Sequence, residues 1–108
     1  MPLLPDTTHV ILLDMNAPPE FAATFNAWYR DLHLPEICAL PGVLSATRLS
    51  DVEDTNRTLT LYELSDPGAF ETPEFIAWRE GSEYTREIMG KITMRSRTLA
   101  SVIGQHPR

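Results

Sequence analysis

Residues 8–15, Thr8-His9-Val10-Ile11-Leu12-Leu13-Asp14-Met15, decide the reading of the fold. The run is rich in leucine and β-branched residues and closes on Asn16-Ala17-Pro18-Pro19, so it reads as a strand stopped by turn residues. His9, Ile11, Leu13 and Met15 share one face. Val10 and Leu12 make the opposite face apolar as well, until Asp14. A strand apolar on both faces is covered on both faces.

Outward from this strand, residues 19–34 read as a helix. Phe21, Phe25, Trp28 and Leu32 recur at helical spacing, and Pro18 and Pro19 suit its first turn. Pro35 breaks or kinks it, and a short helical turn holding Glu36 follows before Pro41-Gly42. Residues 43–50 and 57–65 read as strands joined by the polar hairpin 51–56. In the second of them Leu59 and Leu61 face one way and Thr58, Thr60, Tyr62 and Leu64 the other. Asp66-Pro67-Gly68 is a stop. Residues 73–90 read as a second helix with Thr72 as N-cap, Pro73 at its first position and Gly90 at its end; Gly81 weakens its middle. Residues 92–104 complete the pattern as a last strand.

The order is βαββαβ, an α+β fold with a four-stranded antiparallel sheet and two helices on one face. The other face still needs cover. A second copy packed sheet to sheet is the economical answer, so a homodimer is expected.

The chain has 108 residues, expected to form one domain over 1–108 with an ordered core of about 8–104. Nine Lys+Arg against fifteen Asp+Glu give a net charge of −6, which speaks against nucleic acid and against an anionic membrane surface. The apolar run 10–13 is too short for a signal sequence or a membrane span. Cys38 is the single cysteine; it closes no intrachain disulfide, fits a reducing cytoplasm, and is expected to be buried. No Cys/His cluster suggests a metal site, and the isolated glycines form no phosphate loop.

The densest chemistry lies in Trp28-Tyr29-Arg30-Asp31-Leu32-His33-Leu34-Pro35-Glu36. On a regular helix Phe25, Trp28, Tyr29 and Leu32 share the inward arc, with His33 at its edge, one step toward solvent. A histidine at the rim of an aromatic cavity can move a proton near neutral pH, and Glu36 could orient it. The same residue in the last turn of a helix is also favoured by the helix dipole and can bond exposed carbonyls. The space between sheet and helices is the natural pocket, and Arg48, Tyr62, Trp78 and Tyr84 are candidates to line it. Core packing is the commoner role for aromatics at such spacing. His9 and His106 carry no motif.

Trp28-Tyr29-x-x-x-His33-Leu34-Pro35-Glu36, then Pro41-Gly42-Val43, Ala46-x-Arg48, Leu61-Tyr62-Glu63-Leu64 and Pro73-Glu74-Phe75, resembles the EthD-like branch of the dimeric α+β barrel superfamily. The resemblance spans about residues 10–102. It implies a ferredoxin-like protomer and a homodimer whose sheets close into a barrel. It also implies chemistry of the superfamily's cofactor-independent kind: monooxygenase, isomerase or cyclase. His33 falls at the position of that branch's usual active-site histidine, with Glu36 just after the motif's proline. No residue matches the second histidine some superfamily enzymes use, and residues 66–92 hold no histidine for a haem iron.

The resulting expectation is a small cytoplasmic enzyme, without cofactor or metal, acting on a small cyclic or aromatic carbonyl compound. His33 would move the proton and Glu36 orient it. Trp28, Tyr29, Tyr62, Trp78 and Tyr84 would shape the pocket, and Arg48 would hold a carboxylate or enolate oxygen. The alternative is a non-catalytic ligand-binding or accessory dimer.

Overall fold

Four strands, β1 (His9–Asn16), β2 (Val43–Ser50), β3 (Arg57–Leu64) and β4 (Thr93–Ser101), form one antiparallel sheet in the order β2-β3-β1-β4. This computed structural model describes residues 3–106. The order is the ferredoxin-like arrangement expected from the sequence. β2 has its expected bounds, while β4 stops at Ser101 rather than at 104.

The two faces of the sheet differ as β3 foreshadows. Ile11, Leu13 and Met15 of β1 and Thr58, Thr60, Tyr62 and Leu64 of β3 lie under the helices and are buried. Register places Val10 and Leu12 beside Glu63 and Leu61 on the opposite face. There Leu12 and Leu49 remain exposed, and Val10, Leu59 and Leu61 are half-buried. Charged groups bound this open apolar face. Arg57 reaches Asp14 at 2.8 Å and Asp51 at 3.0 Å. Residues 3–7 strap across Glu63, whose Oε1 accepts from the Leu4 N–H (2.7 Å) and the Thr7 hydroxyl (3.1 Å). Its other oxygen accepts from the Ser45 hydroxyl.

The first helical stretch comprises α1 (Ala22–Trp28), a π-helical turn (Tyr29–His33) and α2 (Leu34–Cys38). It starts three residues after the expected position, because Pro18 to Phe21 form a separate turn closed by the Phe21 N–H on the Pro18 carbonyl (2.9 Å). Pro35 does not break it. Proline cannot donate to the carbonyl four residues back, and its ring presses on that carbonyl in a straight α-helix. The turn before Pro35 is widened instead, with the Leu34 N–H bonded to the Tyr29 carbonyl five residues back. Continuing the helix lets Ile37 bury against the sheet at 2% exposure. Burying each large apolar side chain here contributes about 1.5–3 kcal/mol. Cys38, expected buried, is exposed at the end of α2.

Gly42, at φ +84°, makes the turn into β2; a Cβ there would meet the Ala69 Cβ at 3.0 Å. The expected single helix 73–90 is two: α3 (Pro73–Glu80) and α4 (Glu83–Gly90), preceded by a 3-10 turn (Ala69–Glu71). Thr72 caps α3 as expected, accepting from the Phe75 N–H. The break follows from Ser82, which is extended and whose hydroxyl accepts from the Thr85 N–H at 3.1 Å, starting a new helix. Gly81 ends the old one, and a side chain there would press on the Ala77 carbonyl oxygen at 2.9 Å.

Candidate active site

The π turn sets the site. One extra residue in the helical ladder moves the following side chains back by one position around the axis. Leu32, expected inward, is 48% exposed. His33, expected at the rim, takes its place among the aromatics. Its ring lies 4.5 Å from Trp28 (stacked), 4.6 Å from Tyr29 (edge-on) and 5.0 Å from Trp78 of α3. His33 Nδ1 is buried and has no hydrogen-bond partner. The expected helix-capping alternative therefore has no bond at this nitrogen. Desolvation, and secondarily the Arg48 charge, push the His33 pKa from 6.5 down to about 4. The imidazole is neutral at neutral pH.

His33 forms part of the wall of a cavity of about 200 Å³ between helices and sheet. Tyr29 and Tyr62 lie at its floor, with Phe70, Phe75, Trp78, Met89 and Met94 around it. The two phenols share a hydrogen bond of 2.7 Å. Burial raises both phenol pKa values, so both stay protonated; one O–H is used in their mutual bond and the other is left to donate toward an oxygen in the cavity. On the other side of His33 is a small depression of about 50 Å³, bounded by Trp28, Leu32, Glu36, Ser82, Tyr84 and Thr85. His33 and Thr85 border both spaces.

The expected site residues thus divide. Tyr29, Tyr62 and Trp78 share the main cavity with His33. Trp28 backs the imidazole, and the half-exposed Tyr84 edges the depression. Glu36 bonds not to His33 but to Trp78, whose indole Nε1–H donates to Glu36 Oε2 at 2.7 Å. It therefore positions a ring that packs on His33. Arg48 faces the helices as expected but does not line the main cavity. Its donors go to Asn26 (2.8 Å), Thr58 (2.7 Å) and Thr60 (3.4 Å), and its guanidinium lies over the Tyr29 ring at 4.2 Å. It ties α1 to the sheet. The arginines that do line the cavity, Arg79 and Arg97, were not singled out by the sequence pattern.

A neutral imidazole with an unpartnered nitrogen, set in an apolar wall, is suited to accept a proton from a bound molecule. Its low pKa makes it a weak base in the empty protein, and a negative charge arriving beside it strengthens it.

Neither a family model nor a curated protein matches this sequence. Solved structures do. A monooxygenase from the gene ActVA-Orf6 of Streptomyces coelicolor, in complex with nanaomycin D, matches with a TM-score of 0.76 at 14% identity, over 97% of this chain and 96% of that one. SnoaB, a cofactor-independent oxygenase from Streptomyces nogalater, matches with a TM-score of 0.69 at 15% identity, over 94% and 99%. PA3566 from Pseudomonas aeruginosa matches at 0.60 and 16% identity, over 93% and 96%. The likeness shows a shared fold. It is the ferredoxin-like α+β fold.

Proposed function

We propose that this protein is a small cofactor-independent enzyme of monooxygenase type, in the EthD-like branch, in which His33 takes a proton from a small cyclic or aromatic carbonyl compound. The observation that carries the reading is the buried, unpartnered Nδ1 of His33, whose ring is held between Trp28, Trp78 and Tyr29 in a cavity wall. Loss of a proton beside a carbonyl leaves an electron-rich enolate. The Tyr29–Tyr62 pair can hydrogen-bond its oxygen, and dioxygen can take up its electrons. Isomerisation and cyclisation begin with the same proton transfer. The oxygenase structures of like fold support the oxygenase ending.

Two copies would pair their open faces over Val10, Leu12, Leu49, Leu59 and Leu61, which covers the apolar side of the sheet. The acidic chain would work in the cytoplasm. No described helix is long and apolar enough to cross a membrane. The low His33 pKa favours a second reading, a non-catalytic ligand-binding dimer.

Oxygen uptake and product analysis over a panel of enolisable aromatic ketones and phenols test the proposal. Turnover should fall at least about 100-fold in His33→Ala, the usual scale of general-base catalysis. Turnover that survives the substitution would reject His33. Compounds that bind without turnover would establish the second reading.

A further inference from the structure

β4 carries a bulge. Met94 pairs with Met15 and Ser96 with Asp14, which leaves Arg95 as the extra residue. Alternation reverses across this point. Ser96 falls with Asp14 on the open face, and Arg97 falls with Leu13 on the helix side, where it lines the cavity. In an unbulged strand Ser96 would take that position and Arg97 would point to the open face.

Arg97 is also alone in its bonding. Arg30 pairs with Asp31, Arg57 with Asp14 and Asp51, and Arg79 with Glu80. Arg48, Arg86 and Arg95 hydrogen-bond oxygens of Asn26, Glu80 and Asn16, and Lys91 sits over the Phe21 ring. Among the described residues Arg97 is the cation without such a partner. It remains so in a chain where acidic groups outnumber basic ones fifteen to nine. Most of the remaining lining is aromatic or apolar, Tyr62, Phe70, Phe75, Trp78 and Met94 among it, and the second cavity arginine, Arg79, is paired with Glu80.

We propose that Arg97 is the anion-binding group of this cavity, and that its ligand is a small planar aromatic compound bearing a carboxylate or an ionised phenol. The ring lies among Phe75 and Trp78, and the charge faces β4. This rests on the reading of the cavity as a ligand site. It moves to β4 the role expected of Arg48, which does not line this cavity and whose three guanidinium nitrogens each already donate to a side chain. A guanidinium matches both oxygens of a carboxylate, and a lysine would match them less well.

Isothermal titration calorimetry with 2-naphthoate and its neutral isostere 2-naphthamide tests it. The wild-type protein should bind the anion about tenfold more tightly or better, as one charge-assisted hydrogen-bonded pair gives. Arg97→Gln should equalise the two ligands without weakening the amide, and Arg97→Lys should keep part of the preference. Raising the salt should shrink the preference, because Arg97 is solvent-accessible. Equal binding of both ligands by the wild type, or a preference that survives Arg97→Gln, would overturn Arg97 as the anion site and leave the cavity reading standing. Binding of neither ligand would overturn the cavity reading and this inference with it.

Discussion

Residues 22–38 and 73–90 roof the same sheet, and each contains a residue hostile to helix: Pro35 in the first, Gly81 in the second. At Pro35 the helix widens by one residue and continues, because Ile37 beyond it is buried against the sheet. At Gly81 the helix stops, because Ser82 supplies a cap for a new one. A breaker ends a helix where the next residues can begin another; where they have a core to fill, it shifts the phase instead. The phase shift is what puts His33 in the cavity. The stop is what lets Trp78 come from α3 while Thr85 and Met89 come from α4.

The contrast can be broken most severely at Trp28, which is 5% exposed and stacks on both Phe25 and His33. Trp28→Ala should cost about 3–5 kcal/mol in denaturant unfolding. A cost near zero would mean that the first roof is not anchored by its aromatics.

Next is acid. His33 is protonated in the unfolded chain near 6.5 and in the folded protein only near 4. Between those values the unfolded state binds more protons, so stability is retained above about 6.5 and falls as pH drops toward 4. The loss from this residue should be about 3 kcal/mol. In His33→Gln that part of the pH slope should vanish; an unchanged slope would show that His33 is not desolvated.

Pro35→Ala sharpens the phase argument. With an N–H restored at position 35, the straight α ladder becomes available and His33 should turn toward solvent. Its NMR titration should move up toward 6.5, whereas a titration that stays near 4 would mean that the proline does not set the phase. The mildest change is Ser82→Ala, which removes one cap and should cost about 1 kcal/mol, with α4 losing protection in hydrogen exchange before the rest.

The strands were legible because period-two patterns and turn residues mark them directly. Val43–Ser50 falls on its expected bounds, and the Thr58-Thr60-Tyr62-Leu64 face of β3 is the face the helices cover. That His33, Tyr29, Tyr62 and Trp78 would come together around one cavity was legible too. Its geometry was not, since a helical wheel assumes 3.6 residues per turn throughout and the π turn departs from it between Tyr29 and His33. Arg97 was hidden for the same kind of reason: simple alternation along β4 gives the wrong face until the bulge at Arg95 is seen. Glu36 lay close to His33 in sequence, but the Trp78 indole, from a distant segment, holds its carboxylate.

Cys38 stands exposed at the end of α2, five residues after His33, and the sequence has no other thiol. A nitroxide placed there labels each chain once, without removing a native cysteine elsewhere. Pulsed electron-spin measurements on such a sample would then read a single inter-chain distance if two sheets pack face to face, and no dipolar modulation from a lone protomer.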